Sequence, residues 1–158
     1  MRIVHDHTSD EFINMQLHPR DTGGSFFEID QQRGEGSLAL DGPWHPAGPD
    51  WQRAKRTERV LGISAAEVQC DDPERVGRRW AEIAEVALDV TGDAFVMPLD
   101  NSVVRFVACT DGRPEGLGGI DLIANDAEAI LRDAEVEGCR TADHQIQLCG
   151  MRMNLVAP

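Results

Sequence analysis

The feature that most constrains this chain is an internal repeat. Gly62-Ile63-Ser64-Ala65-Ala66-Glu67-Val68-Gln69-Cys70-Asp71-Asp72 aligns with Gly116-Leu117-Gly118-Gly119-Ile120-Asp121-Leu122-Ile123-Ala124-Asn125-Asp126. Each copy reads as a strand that runs straight into a helix start. Asp72 has N-cap chemistry and is followed by Pro73, while Asp126 is the matching cap with Glu128 in the first turn. The spacing predicts helices over 73–88 and 127–137. Their apolar stripes are Val76, Trp80, Ile83 and Ala87, then Ala127, Ile130, Leu131 and Ala134. Gly138 suits the position just past the second helix. Short strands follow each helix, over 94–99 and 102–109, then 144–149 and 151–156. A period of about fifty residues that holds a strand, a helix and more strands marks a duplicated α+β unit, because a propeller blade contains no helix. One such unit leaves a face of its sheet open, and pairing two closes that face and creates a cleft.

Three parts follow from this pattern. Residues 1–32 read as strands Arg2–His5, Phe12–Leu17 and Ser25–Asp30 with no helix of their own, a partial module. Residues 33–57 form a Gly/Pro/Trp-rich linker, and Trp44 and Trp51 predict that it packs instead of waving freely. Residues 58–112 and 113–158 are the two tandem copies. Within residues 15–30, His18-Pro19-Arg20, the Gly23-Gly24 turn and Glu28 on the following run form a distinct pattern. This stretch resembles the last hairpin of a module in the vicinal-oxygen-chelate superfamily, which includes glyoxalase I, bleomycin-resistance proteins, extradiol dioxygenases and methylmalonyl-CoA epimerase, and is most like the epimerase group.

The resemblance implies an α+β fold of paired βαβββ modules, with a partial module at the N-terminus. It also implies metal ligands: a His (or Gln) in the first strand of a module and a Glu in the last. The last-strand position falls on Glu28, Arg105 and Asn154, and the first-strand position on Ala65 and Gly119. Arginine stays protonated and cannot ligate a cation, so the C-terminal pair lacks the inherited ligand set. Glu28 with His18 is the candidate metal pair, with His5 upstream, and a divalent metal at Glu28 is the one cofactor the resemblance suggests.

A second candidate site comes from the repeat itself. Alternation puts Glu67 and Asp121 at matching positions on one face, and Arg105 falls on a neighbouring strand. These three are the candidate catalytic residues. A carboxylate raised in pKa by its neighbour would serve as a general base, and Arg105 would hold an anionic group bidentately. The other reading of the trio is a structural ion pair at the module interface. Ala65 and Gly119 leave room either for a ligand or for close packing.

Composition narrows the partners. There are 15 Lys and Arg against 28 Asp and Glu, a net charge of −13. That opposes nucleic-acid binding and docking on anionic lipid. No apolar run approaches the ~20 residues of a membrane span, and no signal peptide follows Met1, so a cytoplasmic location is expected. Cys70, Cys109, Cys139 and Cys149 form no C-x-x-C pair and read as reduced, packed residues, not a zinc site. The expected function is small-molecule binding in the cleft between paired modules, as a homodimer and without a complete metal site. The alternative is a metal-dependent epimerase or lyase that uses Glu28 with ligands from another chain or upstream residues.

Overall fold

The computed structural model describes every residue, Met1–Pro158. Contacts divide it into two units, Met1–Thr22 with Phe26–Lys55, and Gly23–Ser25 with Arg56–Pro158.

The first unit holds β1 (Ile3–Thr8), β2 (Phe12–Leu17), a single helical turn α1 (Pro19–Thr22) and β3 (Phe27–Gln32). The three strands form an antiparallel sheet in the order β1-β2-β3. Register lines up His5, Gln16 and Glu28 in one cross-strand row, and His7, Asn14 and Asp30 in the next. Because side chains alternate along a strand, these six polar residues share one face. Ile13, Met15 and Ile29 point the other way. The segment after β3 makes two 3₁₀ turns, His45–Ala47 and Trp51–Ala54. It is pinned inside the unit by its tryptophans. The Trp44 ring meets Phe12 edge-on at 5.5 Å, and the Trp51 indole donates to the Gly42 carbonyl at 3.1 Å.

The second unit runs β4 (Val60–Cys70), α2 (Pro73–Ala84), β5 (Asp89–Thr91), β6 (Ala94–Pro98) and β7 (Val103–Ala108). It then repeats as β8 (Gly116–Ala124), α3 (Ala127–Val136), β9 (Arg140–Ala142), β10 (Gln145–Leu148) and β11 (Met151–Val156). All eight strands join one sheet in the order β5-β6-β7-β4-β8-β11-β10-β9. That order is a palindrome of module positions. Each module's first strand pairs in parallel with its own last strand, and the two first strands meet antiparallel at the seam. The architecture is α+β, two βαβββ modules related by a pseudo-twofold axis between β4 and β8.

Local chemistry explains the helix ends. The Asp72 carboxylate accepts from the Arg75 N–H at 3.0 Å, and Asp126 accepts from the Ala129 N–H at 3.0 Å. Each cap satisfies a donor that the helix cannot. Asp126→Ala is expected to cost about 1 kcal/mol in a urea unfolding series, with unchanged circular dichroism. At the other end of α3, Gly138 has φ 69°, the Cys139 N–H reaches the Ala134 carbonyl at 2.7 Å, and the Gly138 N–H reaches Glu135 at 3.2 Å. This is a Schellman stop. The first helix is shorter than its spacing predicts. It ends at Ala84 because Glu85 turns left-handed, φ 57°, and returns its N–H to Ala81. Ala87 therefore leaves the buried stripe and is exposed.

The two helices cover the same side of the sheet. Val76 and Trp80 of α2 are buried with Phe106 of β7, and the Trp80 and Phe106 rings meet edge-on at 5.6 Å. A Cβ at Gly77 would lie 3.0 Å from the Phe106 ring, so glycine permits this close approach. On the α3 side, Ala124, Leu131, Ala134, Ile146 and Leu155 form a second core cluster. The four cysteines are free. Burial pushes the Cys70 thiol up to about 12, which keeps it an unreactive core residue. Cys149 departs from the packed expectation: it is exposed, at φ 52° in the β10–β11 turn. No helix is long and apolar enough to cross a membrane.

Candidate functional site

Phe106 and Leu155 face the helices, so their neighbours Arg105 and Asn154 face the helix-free side. Register sets Glu67 of β4 beside Arg105 of β7, and Asp121 of β8 beside Asn154 of β11. Glu67, Asp121 and Arg105 thus arrive on one face from three strands. The Arg105 guanidinium grips Asp121 with two parallel bonds, Nη1 to Oδ2 at 2.5 Å and Nη2 to Oδ1 at 2.7 Å, and touches Glu67 Oε2 at 3.1 Å.

The cluster is larger than that trio. Arg152 of β11 donates to Glu67 Oε1 through Nε at 3.3 Å and Nη2 at 3.1 Å, to Gln69 at 3.2 Å, and to Asp111. Arg113 binds the same Asp111 carboxylate at 2.6 Å, and also Gln69 and the carbonyls of Gly118 and Gly150. Asn154 donates to Asp121 at 2.8 Å and accepts from Gln145 at 2.8 Å. The ion pairs are reciprocal across the seam. Arg105 of the first module holds Asp121 of the second, and Arg152 of the second holds Glu67 of the first. Three guanidinium groups face three carboxylates, so the cluster carries no net charge.

Sequence reasoning missed Arg152, Asp111 and Arg113. Arg152 stands two residues before Asn154 on the same strand, so alternation alone places it on this face.

The small residues at the seam make room for these side chains. A Cβ on Gly119 would sit 2.9 Å from Glu67 Oε1 and 3.0 Å from the Arg152 carbonyl. One on Gly118 would sit 2.6 Å from Arg152 Nη2 and 2.7 Å from Gln69 Oε1. The space above these glycines is occupied by the ion pairs. No member of the cluster lines the cavity of about 500 Å³ beside Glu11, Trp44 and His45 in the first unit, nor those of about 590 Å³ beside Asp126 and His144 and about 610 Å³ beside Val86 and Leu99 in the second.

For Asp121 the shift runs opposite to the expected direction. Arg105's hydrogen bonds hold the Asp121 carboxyl below its ordinary value of 3.8; burial opposes the shift and the Asn154 amide adds to it. Asp121 is therefore a firmly ionised partner and a weak base, not a carboxylate raised toward neutrality. Arg105 is shifted up, first by its bonds to Asp121. The sign of the pH effect follows. A carboxylate depressed by folding contributes its full stability above the unfolded value of 3.8 and loses it as pH falls through the lower folded value. Urea midpoints taken from about pH 6 to about pH 3 should fall, and Asp121→Asn should flatten the acid limb.

The candidate metal pair is not brought together by any shared partner. The Glu28 oxygens accept from Asn14 at 2.8 Å and Gln16 at 2.7 Å, while His18 Nδ1 accepts from the Arg20 N–H at 3.1 Å. His5, not His18, stands in the Glu28 row. No group of three or more His, Cys, Asp or Glu side chains is arranged to hold a metal ion.

No protein-family model and no curated protein matches the chain. Solved structures do. A hypothetical protein from Staphylococcus aureus is similar over 99% of this chain, at 10% identity and a TM-score of 0.59, and the match spans 57% of that protein's length. Methylmalonyl-CoA epimerase from Mycobacterium tuberculosis is similar over 66% of this chain and 92% of its own, at 13% identity and a TM-score of 0.47. A Streptomyces coelicolor methylmalonyl-CoA epimerase variant in complex with 2-nitronate-propionyl-CoA covers 62% of this chain and 94% of its own, at 13% identity and a TM-score of 0.45. At these identities the staphylococcal likeness is one of fold.

Proposed function

We propose that the chain is a small-molecule-binding protein of the vicinal-oxygen-chelate type, which holds a carboxylate- or phosphate-bearing ligand on the helix-free face of the paired modules. The observation that carries this reading is the convergence of Arg105 and Arg152 on the single Glu67 carboxylate. Asp121 is held by two short parallel bonds, whereas each Glu67 oxygen has only contacts of 3.1 Å or longer to an arginine. Glu67 is the loosest acid in the cluster. A ligand anion of the same shape would exchange with it and gain both guanidinium groups, with planar bidentate recognition supplied by arginine. In this reading Asp121 keeps Arg105 aimed and Gln69 keeps Arg152 aimed, while no residue of the trio removes a proton. The metal-dependent alternative through Glu28 and His18 gains no support from their separate hydrogen-bond partners.

The test is a titration with malonate and with inorganic phosphate, followed through the arginine Nε–Hε resonances. Saturable shifts of Arg105 and Arg152 are expected, and Glu67→Gln should tighten binding while Arg105→Met abolishes it. Absence of saturation at millimolar probe would overturn the proposal. So would a stoichiometric divalent ion bound through residues 58–158.

A further inference from the structure

The cavity of about 500 Å³ in the first unit is built largely by the segment that follows β3. Local contacts fix its walls before any ligand arrives. The His45 ring stacks on Phe12 with centroids 5.3 Å apart, and the His45 N–H donates to Gln32 Oε1 at 2.8 Å. Trp44 is steadied by Phe12 yet stays exposed. Gln52 Nε2 donates to the Asp41 carbonyl at 3.2 Å. The loop closes so tightly that a Cβ on Gly42 would lie 2.1 Å from the Gly36 carbonyl oxygen. A site shaped in advance spares a ligand the cost of ordering it.

Charge identifies what kind of ligand fits. Glu11 and Asp41 line this cavity, and no Lys or Arg does. Asp41 is already matched, since its Oδ1 accepts from Lys55 at 2.7 Å. Glu11 is not. Its Oε2 stands 4.0 Å from His45 Nδ1, too far for a hydrogen bond. Gln52 spends its amide N–H on the Asp41 carbonyl and leaves its amide oxygen open. The cavity thus offers hydrogen-bond acceptors and negative charge, which repel an anion and suit a donor that is positive. Trp44, Pro43 and Pro49 supply the apolar wall. Mostly apolar walls with a few placed polar groups are the make-up of small-molecule sites, and an indole attracts a cation beyond what its apolar area provides.

We propose that this cavity binds a small primary ammonium carried on an apolar body, with the body against Trp44 and the prolines and the charged end at Glu11 and Gln52. It takes the opposite charge from the arginine cluster and shares no residue with it. The test follows the Trp44 indole Nε1–H resonance of the full chain during titration with benzylammonium chloride, benzyl alcohol and sodium benzoate. Benzylammonium is expected to saturate at millimolar concentration, and benzoate to leave Trp44 unmoved. Benzyl alcohol should bind about threefold to fivefold more weakly than the ammonium, a modest ratio because the Glu11 side chain is 80% exposed and water screens its charge. Glu11→Gln should bring benzylammonium down to the affinity of the alcohol, and added salt should narrow the same gap. That substitution removes no hydrogen bond, so the circular dichroism should not change. Equal affinity for the ammonium and the alcohol, an unchanged affinity in Glu11→Gln, or no saturation by about 10 mM would overturn the proposal.

Discussion

Phe106→Ala is expected to lower the stability of the second unit by about 4 kcal/mol, read as a shift of the urea midpoint at unchanged slope. Phe106 is only 1% exposed and fills the space between β7 and α2, against Trp80 and the bare backbone of Gly77. Because Gly77 already allows the helix to approach as closely as it can, α2 cannot collapse further into the hole, and the cavity stays. Phe106→Leu, which keeps most of the volume, should cost about 1.5 kcal/mol or less. A loss as small for alanine as for leucine would show that Phe106 is not the floor of this core.

The second large effect concerns the seam. Asp121→Ala is expected to cost about 2 kcal/mol, because it leaves Arg105 with only its longer bond to Glu67 and takes the acceptor from the Asn154 amide. The estimate is held down because the Arg105 side chain remains 28% exposed and water screens part of its charge. Arg105→Met should cost less than Asp121→Ala, since methionine fills the volume and Asp121 keeps its Asn154 bond. The double variant should recover about 1 kcal/mol relative to the sum of the singles. Strict additivity would mean that the two parallel bonds do not couple the modules.

Legibility of this chain followed the range of the interactions. The repeat, both helix starts and the Gly138 stop were readable because each rests on chemistry within a few residues. The α2 end was misread because its stop is Glu85, a residue with no intrinsic preference for the left-handed region. The strands β5 and β9 were invisible: Asp89–Thr91 and Arg140–Ala142 are three residues each and wholly exposed, so no alternation exists to find. The Glu67, Arg105 and Asp121 placement came from face counting along the repeat. The direction of the Asp121 shift did not, since it depends on the donors that reach that carboxylate. Arg152 lies 85 residues from Glu67 in sequence, and only the assembled sheet brings them within reach.

Those two three-residue strands have a consequence for how the molecule behaves when crowded. They are the outermost members of the eight-stranded sheet. A stub of this length offers a passing chain too few rungs to begin a fibril, and Arg140 adds charge to one of the rims. The larger unit is thereby protected against self-templated stacking at high concentration, and slow precipitation of the purified protein should start from residues 1–32 rather than from residues 58–158.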